Sequence, residues 1–591
     1  MPARPLLRSL ADRFGGWTPA LLGLGLIVAF LVSRLPLLDA DIPQWELTVY
    51  SPIDEFTYSL PAFNLVHYGT WLHQAASWAP LEGQPTNVLQ NVVVALTLKL
   101  FGSTFWGLRM SSILFGLVGF LSLVSIVRIQ ADEARRFDAV PKRLAWLVVA
   151  AACVLLLVDF SSLLSARIVE PTISRIAVAT LLIALVARGV FLGERHGLVR
   201  SGVFGATAAA AVSFVYIYNA FLVPGALVAL VWWAYRRGGW AAVGRHTIAF
   251  LVGCVVAAGL YYGLIYLVYG HSPIDWYRAW ISPLATSSRG NGLSLTKIAS
   301  ILEANIFRLD PAFVGVVLAS IPVFAWTLLR RPNAWMVLIA ASLAAFLAQT
   351  SFVADYPERK FIMVMIFALP VAAAGVFGWR RFQAWVTADH RRLVAATVWL
   401  TGAVFVAAWA SPFGKVPPHG SILARIVLVA GLVGAAALVA LLIVRRPRFT
   451  TLAALVLAAA ILVPLAYADL AFVYRRPTFT YRDAQIAATR DVGDQETAGS
   501  LSFGMQLYNG SRSVLNGVTV PQAEYEADIV RFFREGGATS MYAYADPKSR
   551  TRYESLGFRL VETLPILLPR GMKLGRYVFG ASGAAVSDDR G

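Results

Sequence analysis

Apolar runs of membrane-spanning length recur along almost the whole chain, and arginine clusters punctuate them at alternate ends. An opening run reaches Leu38, and a full-length one extends from Phe105 to Ile129. Further runs follow at 144–160, 173–193, 201–218, 220–235, 247–269, 310–329, 334–352, 361–379, 393–410, 421–444 and 449–471. A helix needs about 20 apolar residues to cross the hydrocarbon layer of a bilayer. A soluble domain carries about 25% charged residues, whereas this chain of 591 residues has 14%, with 58% hydrophobic. The pattern therefore predicts a polytopic α-helical membrane protein.

Charge placement orients it. The formal net charge of +18 would suggest a nucleic-acid partner in a soluble protein. Here the excess of Lys and Arg in cytoplasmic loops explains it better, and no nucleic acid is expected. Arg4, Arg8 and Arg13 precede a first apolar run that is too long for a signal peptide and has no small-residue cleavage site, so the N-terminus reads as cytoplasmic. Val88–Phe101 is short for a crossing and contains Lys99. Laid in the interface, it leaves Arg128, Arg135, Arg136, Lys142 and Arg143 in the cytoplasm. Alternate counting then brings Arg195/Arg200, Arg236/Arg237, Arg330/Arg331, Arg380/Arg381 with Arg391/Arg392, and Arg445/Arg446 to that same side. The expectation is roughly thirteen transmembrane helices in the plasma or inner cell membrane, with only Tyr218-Asn219 separating the pair at 201–218 and 220–235.

Two units follow: a transmembrane domain over 1–471 and a small extracytoplasmic α/β domain over 472–591, where charges become dense. The external segments are 39–104, 161–172, 270–309, 353–360 and 411–420. In the tail, Gly499–Tyr508 and Gly571–Phe579 read as strands and Gln522–Gly536 as an amphipathic helix. Cys153 and Cys254 both sit in apolar runs, which excludes a disulfide framework or a Cys/His zinc site. No internal repeat is evident, which weakens a transporter built from inverted halves.

Chemistry concentrates in the first external loop. Ser51-Pro52-Ile53-Asp54-Glu55-Phe56-Thr57-Tyr58 puts adjacent carboxylates in the first turn of a helix that continues to His67 and Trp71. Pro and acidic residues suit that turn, where free amides favour negative charge. The residues alone leave two readings open, a solvated helix cap or a base with a ligand-organising partner at the membrane surface. Asp39-Ala40-Asp41 has the form of a metal-binding Asp-x-Asp element, a pattern that also arises often by chance.

Arg34, then Asp54-Glu55-x-x-Tyr58, then Gly69-x-Trp71, resemble the opening signature of GT-C membrane glycosyltransferases. The likeness is to the branch with protein O-mannosyltransferases and the aminoarabinose transferases that modify lipid A. Glu82-x-x-Pro85, Leu100-Phe101-Gly102 and Leu108-Arg109-Met110-Ser111-Ser112 resemble that branch's next segment. Ser165-Ala166-Arg167-Ile168-Val169-Glu170 matches its short Arg- and acid-bearing turn, and Glu358-Arg359-Lys360-Phe361 with Pro370 a late Arg-Tyr…Pro element. The chain departs from the aminoarabinose branch at Glu82-Gly83-Gln84-Pro85, where that branch has Glu-Lys-Pro-Pro, and Phe361 replaces a Tyr. The loop 270–309 is too short for the sugar-binding insert of eukaryotic protein mannosyltransferases. These departures leave the sugar and the acceptor open.

The resemblance implies a GT-C-like fold and a cell-envelope enzyme that takes a hexose or pentose from a polyprenyl-phosphate carrier, with inversion. The acceptor would be a hydroxyl on a glycolipid, polysaccharide or protein, in contact with membrane lipids. It implies Asp54 as the catalytic base and Glu55 as its helper or organiser. Substrate binding would fall to Arg34, Tyr58, Glu82, Arg167, Glu170, Arg359 and Lys360, although Arg34 also fits an interfacial, snorkelling role. No cofactor is certain. A divalent metal stays open, with Glu82 and Glu170 as its ligands, as ligands of sugar hydroxyls, or as ion-pair partners. The competing class is a transporter or flippase of lipid-linked saccharides, and a receptor or assembly scaffold is a third. The acids gather at the outer boundary rather than mid-membrane, which favours surface chemistry over passage.

Overall fold

The structure is a computed structural model. It describes residues 18–41, 52–71, 87–137, 140–158, 166–193, 197–270, 272, 274, 311–352, 365–385, 478–493, 495, 497–499, 502–509, 513–514, 522–535, 538–564 and 573–580. The apolar runs 393–410, 421–444 and 449–471 lie outside the described residues, as do most of 270–309 and the loops 353–360 and 411–420.

The membrane part is helical. In chain order it contains α1 (Thr18–Val32), α2 (Pro52–His67), α3 (Val88–Phe101), α4 (Phe105–Phe137), α5 (Lys142–Val158), α6 (Pro171–Ala187), α7 (Leu198–Ala210), α8 (Leu222–Tyr269), α9 (Pro311–Arg330), α10 (Ala334–Phe352) and α11 (Met365–Trp385). With 33 residues, α4 is roughly 50 Å long at 1.5 Å per residue. It is longer than the hydrocarbon layer of about 30 Å, and its last turns carry Asp132, Arg135 and Arg136. By contrast α3, with 14 residues, spans roughly 21 Å. It buries Val94, Ala95 and Leu98 and leaves Leu96 and Leu100 exposed.

Among the described residues, Phe105–Phe137, Leu198–Val215 and Ile217–Val268 are long and apolar enough to cross a membrane. The last is two limbs, because Gly238 and Gly239 leave helical geometry; Gly239 has φ +62, a conformation with a low cost only for glycine. The expected split near Tyr218-Asn219 is present. After α7 the chain makes a π-turn at Ala211–Val215, extends at Tyr216 and turns through a 3-10 segment, Ile217–Asn219, into α8. Outward-facing Val252, Val255, Leu260 and Leu267 make an apolar surface suited to lipid tails.

Helix α7 packs against the second limb of α8 through small residues, as membrane helices do. A Cβ at Gly205 would collide with the Phe250 carbonyl, and one at Gly253 with the Gly202 carbonyl. Ser201 Oγ lies 2.7 Å from His246 Nδ1 across the same seam. The contact pairs run in step along α7 and α8, so the two run parallel.

The residues from 478 onward form α12 (Thr480–Val492), β1 (Thr497–Ala498), α13 (Ser502–Asn509), β2 (Ser513–Val514), α14 (Gln522–Arg534), β3 (Ser540–Tyr544), α15 (Pro547–Ser555), β4 (Phe558–Thr563) and β5 (Leu574–Phe579). The sheet order is β2-β1-β3-β5-β4. The β1 strand pairs parallel with β2 and β3, and β5 antiparallel with β3 and β4. The α14 helix and the β5 strand fall where the sequence pattern put them. Gly499–Tyr508 does not form a strand: Ser502–Asn509 is helical, burying Met505 and Leu507 in a core with α12 and α2. Alternation of Phe503, Met505 and Leu507 mimics a strand, and packing on α2 overrides it.

That core joins the two parts of the molecule. Phe56, Leu60, Phe63 and Phe105 from the helical part pack with Tyr481, Ala484, Ala488, Met505 and Tyr542 from the sheet part. The N-terminal half of α2 therefore lies under the C-terminal segment.

Candidate active site

The first turn of α2 carries Asp54 and Glu55. The backbone of Asp54 is helical, while its side chain lies outside the described residues. Glu55 is 0% exposed. Its carboxylate accepts Arg109 Nη2–H at 2.7 Å and Nε–H at 3.1 Å. The Val169 amide also donates to it at 2.9 Å. A buried charge is tolerated only when paired and fully hydrogen-bonded, and Glu55 meets both conditions.

Arg109 does more than neutralise. Its Nη1 donates to the Leu38 carbonyl at 2.9 Å and to that of Ala40, and its guanidinium lies 4.9 Å from the Phe105 ring centroid. One turn further along α4, Ser112 Oγ donates to the Ile168 carbonyl at 2.7 Å. Four segments thus meet at the N-terminal end of α4: the turn after α1, the start of α2, α4 itself and the 167–170 turn. Arg109 was part of the sequence motif but not among the expected site residues. Its partner is 54 positions away, which no local periodicity encodes.

The turn after α1 is strained and clamped. Leu37 has φ 53, the left-handed region, at a cost of roughly 1–2 kcal/mol for a residue with a Cβ. Arg167 Nη2 donates to the Leu37 carbonyl. Arg167 and Arg109 together hold three carbonyls of this turn.

Asp39 and Asp41 point to a different partner from the metal that their spacing suggested. The Asp41 carboxylate accepts the amides of Tyr481 at 3.1 Å and Arg482 at 3.2 Å, and the hydroxyls of Thr478 and Thr480 at 3.1 and 3.2 Å. It is the cap of α12. Asp39 pairs with Arg482 at 2.5 Å. The Asp-x-Asp element therefore docks the C-terminal segment. Among the described residues, no group of three or more His, Cys, Asp or Glu could hold a metal.

Arg34 is fully buried rather than snorkelling. Its Nη2 donates to the Leu156 carbonyl at 2.6 Å and its Nη1 to that of Leu157 at 3.0 Å, satisfying the last turn of α5. The guanidinium lies 4.3 Å over the Phe30 ring. Glu170, 2% exposed, precedes Pro171 at the N-terminus of α6 and accepts Thr172 Oγ1–H at 3.0 Å.

Tyr58, on α2, stands edge-on to Tyr216 with centroids 6.3 Å apart. Tyr216 and Tyr218 flank Arg175, whose Nη2 donates to the Tyr218 carbonyl at 3.1 Å and whose Nε donates to Asn219 Oδ1 at 3.4 Å. Arg175 is completely buried on α6. Sequence reading passed over it, though an ionisable residue in an apolar helix is itself a signal. It braces the break between α7 and α8 that faces Tyr58.

Glu82, Arg359 and Lys360 lie outside the described residues. Beside this site, in the C-terminal part, burial holds the Tyr481 phenol well above its ordinary pKa, with Tyr544 and Glu55 adding to the effect. It is therefore neutral across the physiological range.

The chain resembles solved structures. The crystal structure of ArnT from Cupriavidus metallidurans bound to undecaprenyl phosphate aligns with a TM-score of 0.56 at 16% identity, covering 95% of this chain and 98% of that one. Its apo form aligns at 0.55 and 17%, with the same coverage. The archaeal oligosaccharyltransferase AglB from Archaeoglobus fulgidus, in complex with an inhibitory peptide and a dolichol-phosphate, aligns at 0.48 and 11%, covering 92% of this chain and 71% of that one. No protein-family model and no curated protein sequence matches. The likeness to ArnT, over almost the whole of both chains, is one of fold.

Proposed function

We propose that this chain transfers a sugar from a polyprenyl-phosphate-linked donor to an acceptor hydroxyl at the outer face of the cell membrane, with Asp54 as general base. The observation that carries the reading is the anchorage of its neighbour. Glu55 is held by Arg109 and by the Val169 amide, so the helical turn bearing Asp54 is fixed. A catalytic base must sit within hydrogen-bond reach of the proton it takes, and rigid elements hold such geometry best. The GT-C fold shared with ArnT adds support, since that protein was solved with undecaprenyl phosphate bound.

In the proposed step the acceptor hydroxyl gives its proton to the Asp54 carboxylate as its oxygen bonds to the anomeric carbon. The bond from that carbon to the lipid phosphate oxygen breaks, and the phosphate leaves with the bonding pair. Attack opposite the leaving group inverts the centre. The departing charge needs fixed cations in a low-dielectric setting, a role assigned to Arg167, Arg359 and Lys360. Glu55 becomes a positioning residue in this reading, and Arg34 a support for α5 and the turn that follows α1. Tyr58, Glu82 and Glu170 are assigned to the sugar and acceptor.

The proposed topology keeps the N-terminus in the cytoplasm and puts the Glu55 end of the bundle, with the unit 472–591, outside. The deciding experiment measures release of polyprenyl phosphate from a pool of lipid-linked sugars by purified protein. Asp54→Asn should abolish release while polyprenyl phosphate binding persists; full activity of that variant removes Asp54 from the chemistry. A flippase would release no polyprenyl phosphate at all. Mass spectrometry of envelope lipids and polysaccharides after gene deletion should reveal the missing sugar.

A further inference from the structure

A cavity lies at the opposite end of the bundle from Glu55. It has a volume of about 550 Å³ between the C-terminal turns of α4, the end of α9, the start of α10 and the body of α11. Arg330, Arg331 and Arg381 line it, and among the described residues one acid, Glu133, lines it with them and accepts Asn333 Nδ2–H at 3.3 Å. Its remaining walls are largely apolar, with Trp326 and Phe377 among them. Two lining residues, Trp335 and Gln130, are each only 4% exposed. Among the described residues, the Trp335 indole N–H and the Gln130 Oε1 have no hydrogen-bond partner.

Each observation selects the ligand. Three guanidinium groups beside one carboxylate, among the described lining residues, call for an anion, and guanidinium groups suit phosphate. Aromatic and aliphatic walls call for an acyl chain rather than a free phosphate. A buried donor and a buried acceptor left over cost free energy unless a ligand pairs them, and a phosphodiester carrying a hydroxylated headgroup offers both partners. Basic pockets between transmembrane helices are a recognised way of holding anionic lipid headgroups. We infer that this cavity binds an anionic phospholipid of the phosphatidylglycerol class. Its assignment to the inner leaflet rests on the topology proposed above, while the binding itself does not.

The test is native mass spectrometry of the full-length protein in neutral detergent, titrated with phosphatidylglycerol or phosphatidylcholine. Phosphatidylglycerol should be retained and phosphatidylcholine stripped. Each arginine near a phosphate is worth roughly fivefold in affinity, so R330Q/R331Q/R381Q should weaken phosphatidylglycerol on the order of a hundredfold. R135Q/R136Q, which removes charge from the same end but not from the cavity, should retain it. R381Q alone, expected to lose roughly fivefold, serves if the triple variant does not fold. Equal retention of the two lipids, undiminished binding by R381Q and the triple variant, or displacement by glycerol 3-phosphate as readily as by the lipid overturns the proposal. Labelling of N333C by an impermeant thiol reagent on intact cells would overturn the leaflet assignment alone, leaving lipid selectivity to stand on the titration.

Discussion

Asp41 caps the helix that Tyr481 begins to wind, although 440 positions separate them: the Tyr481 amide donates to the Asp41 carboxylate at 3.1 Å. The same carboxylate takes the Arg482 amide and two threonine hydroxyls. One side chain in the turn after α1 thereby ties down the start of the C-terminal segment, beside the Asp39–Arg482 pair and the apolar core shared with α2.

Asp41→Ala should therefore loosen that docking. Loss of a helix cap costs about 0.5–2 kcal/mol, and here two hydroxyls lose their acceptor as well, so the upper end is expected. Limited proteolysis should cut within 478–580 several times faster than in the parent protein. An unchanged digestion pattern would show that the shared apolar core alone holds the segment in place.

The seam between α7 and α8 makes a steric prediction. Gly253 has no room for a Cβ beside the Gly202 carbonyl, and the obstacle is backbone rather than a flexible side-chain tip. Gly253→Ala should lower stability by about 1–3 kcal/mol, visible as a drop in thermal unfolding temperature in detergent. Gly259→Ala is the control, because nothing lies within 4 Å of a Cβ there.

Acid should weaken the start of α15. Asp546 caps that helix, taking the Ser549 hydroxyl at 2.6 Å and the amides of Lys548 and Ser549, each at 3.1 Å. The Ser549 hydroxyl bond, then the backbone bonds, hold the Asp546 carboxyl below its ordinary pKa despite an opposing burial effect. A depressed native value means that the stabilisation is fully present above the unfolded value, near 3.9, and is lost as pH falls through the native one. Asp546→Ala should cost about 0.5–1 kcal/mol at neutral pH, the low end of the range for a cap that is only half-buried. The gap from the parent protein should narrow below about pH 3.9. Denaturant titration of the C-terminal segment at the two pH values measures it, and a gap independent of pH would assign the effect to helix propensity.

The helices were legible because hydropathy is local and repeats within each crossing. The break at Tyr216–Asn219 showed for the same reason. Relationships across the chain were not. Asp39 and Asp41 carry no mark in sequence that separates metal ligands from a helix cap supplied to residues more than 430 positions later. Arg109 stood inside a motif, yet its role depends on Glu55 and on carbonyls of a turn strained at Leu37. Arg175 sat in an apolar helix as an anomaly that only the tyrosine-lined break explains. Gly499–Tyr508 shows the reverse error, a period-2 pattern that tertiary packing turned into a helix.

The Glu55–Arg109 pair separates positioning from chemistry. Removing one partner of a buried ion pair leaves the other charge without compensation and costs about 3–5 kcal/mol. Glu55→Leu and Arg109→Met should each destabilise the protein by that order, whereas E55L/R109M, with neither charge, should recover a large part of the loss. A double-mutant cycle by thermal unfolding reads the coupling directly. The kinetic prediction is independent of that cycle. If Asp54 takes the acceptor proton and Glu55 only fixes the turn, Glu55→Gln should slow polyprenyl phosphate release while leaving the acid limb of its pH profile where it was. Asp54→Asn should erase that limb along with the activity. A shifted limb in Glu55→Gln would transfer the role of base to Glu55, a carboxylate that reaches a substrate only by releasing Arg109.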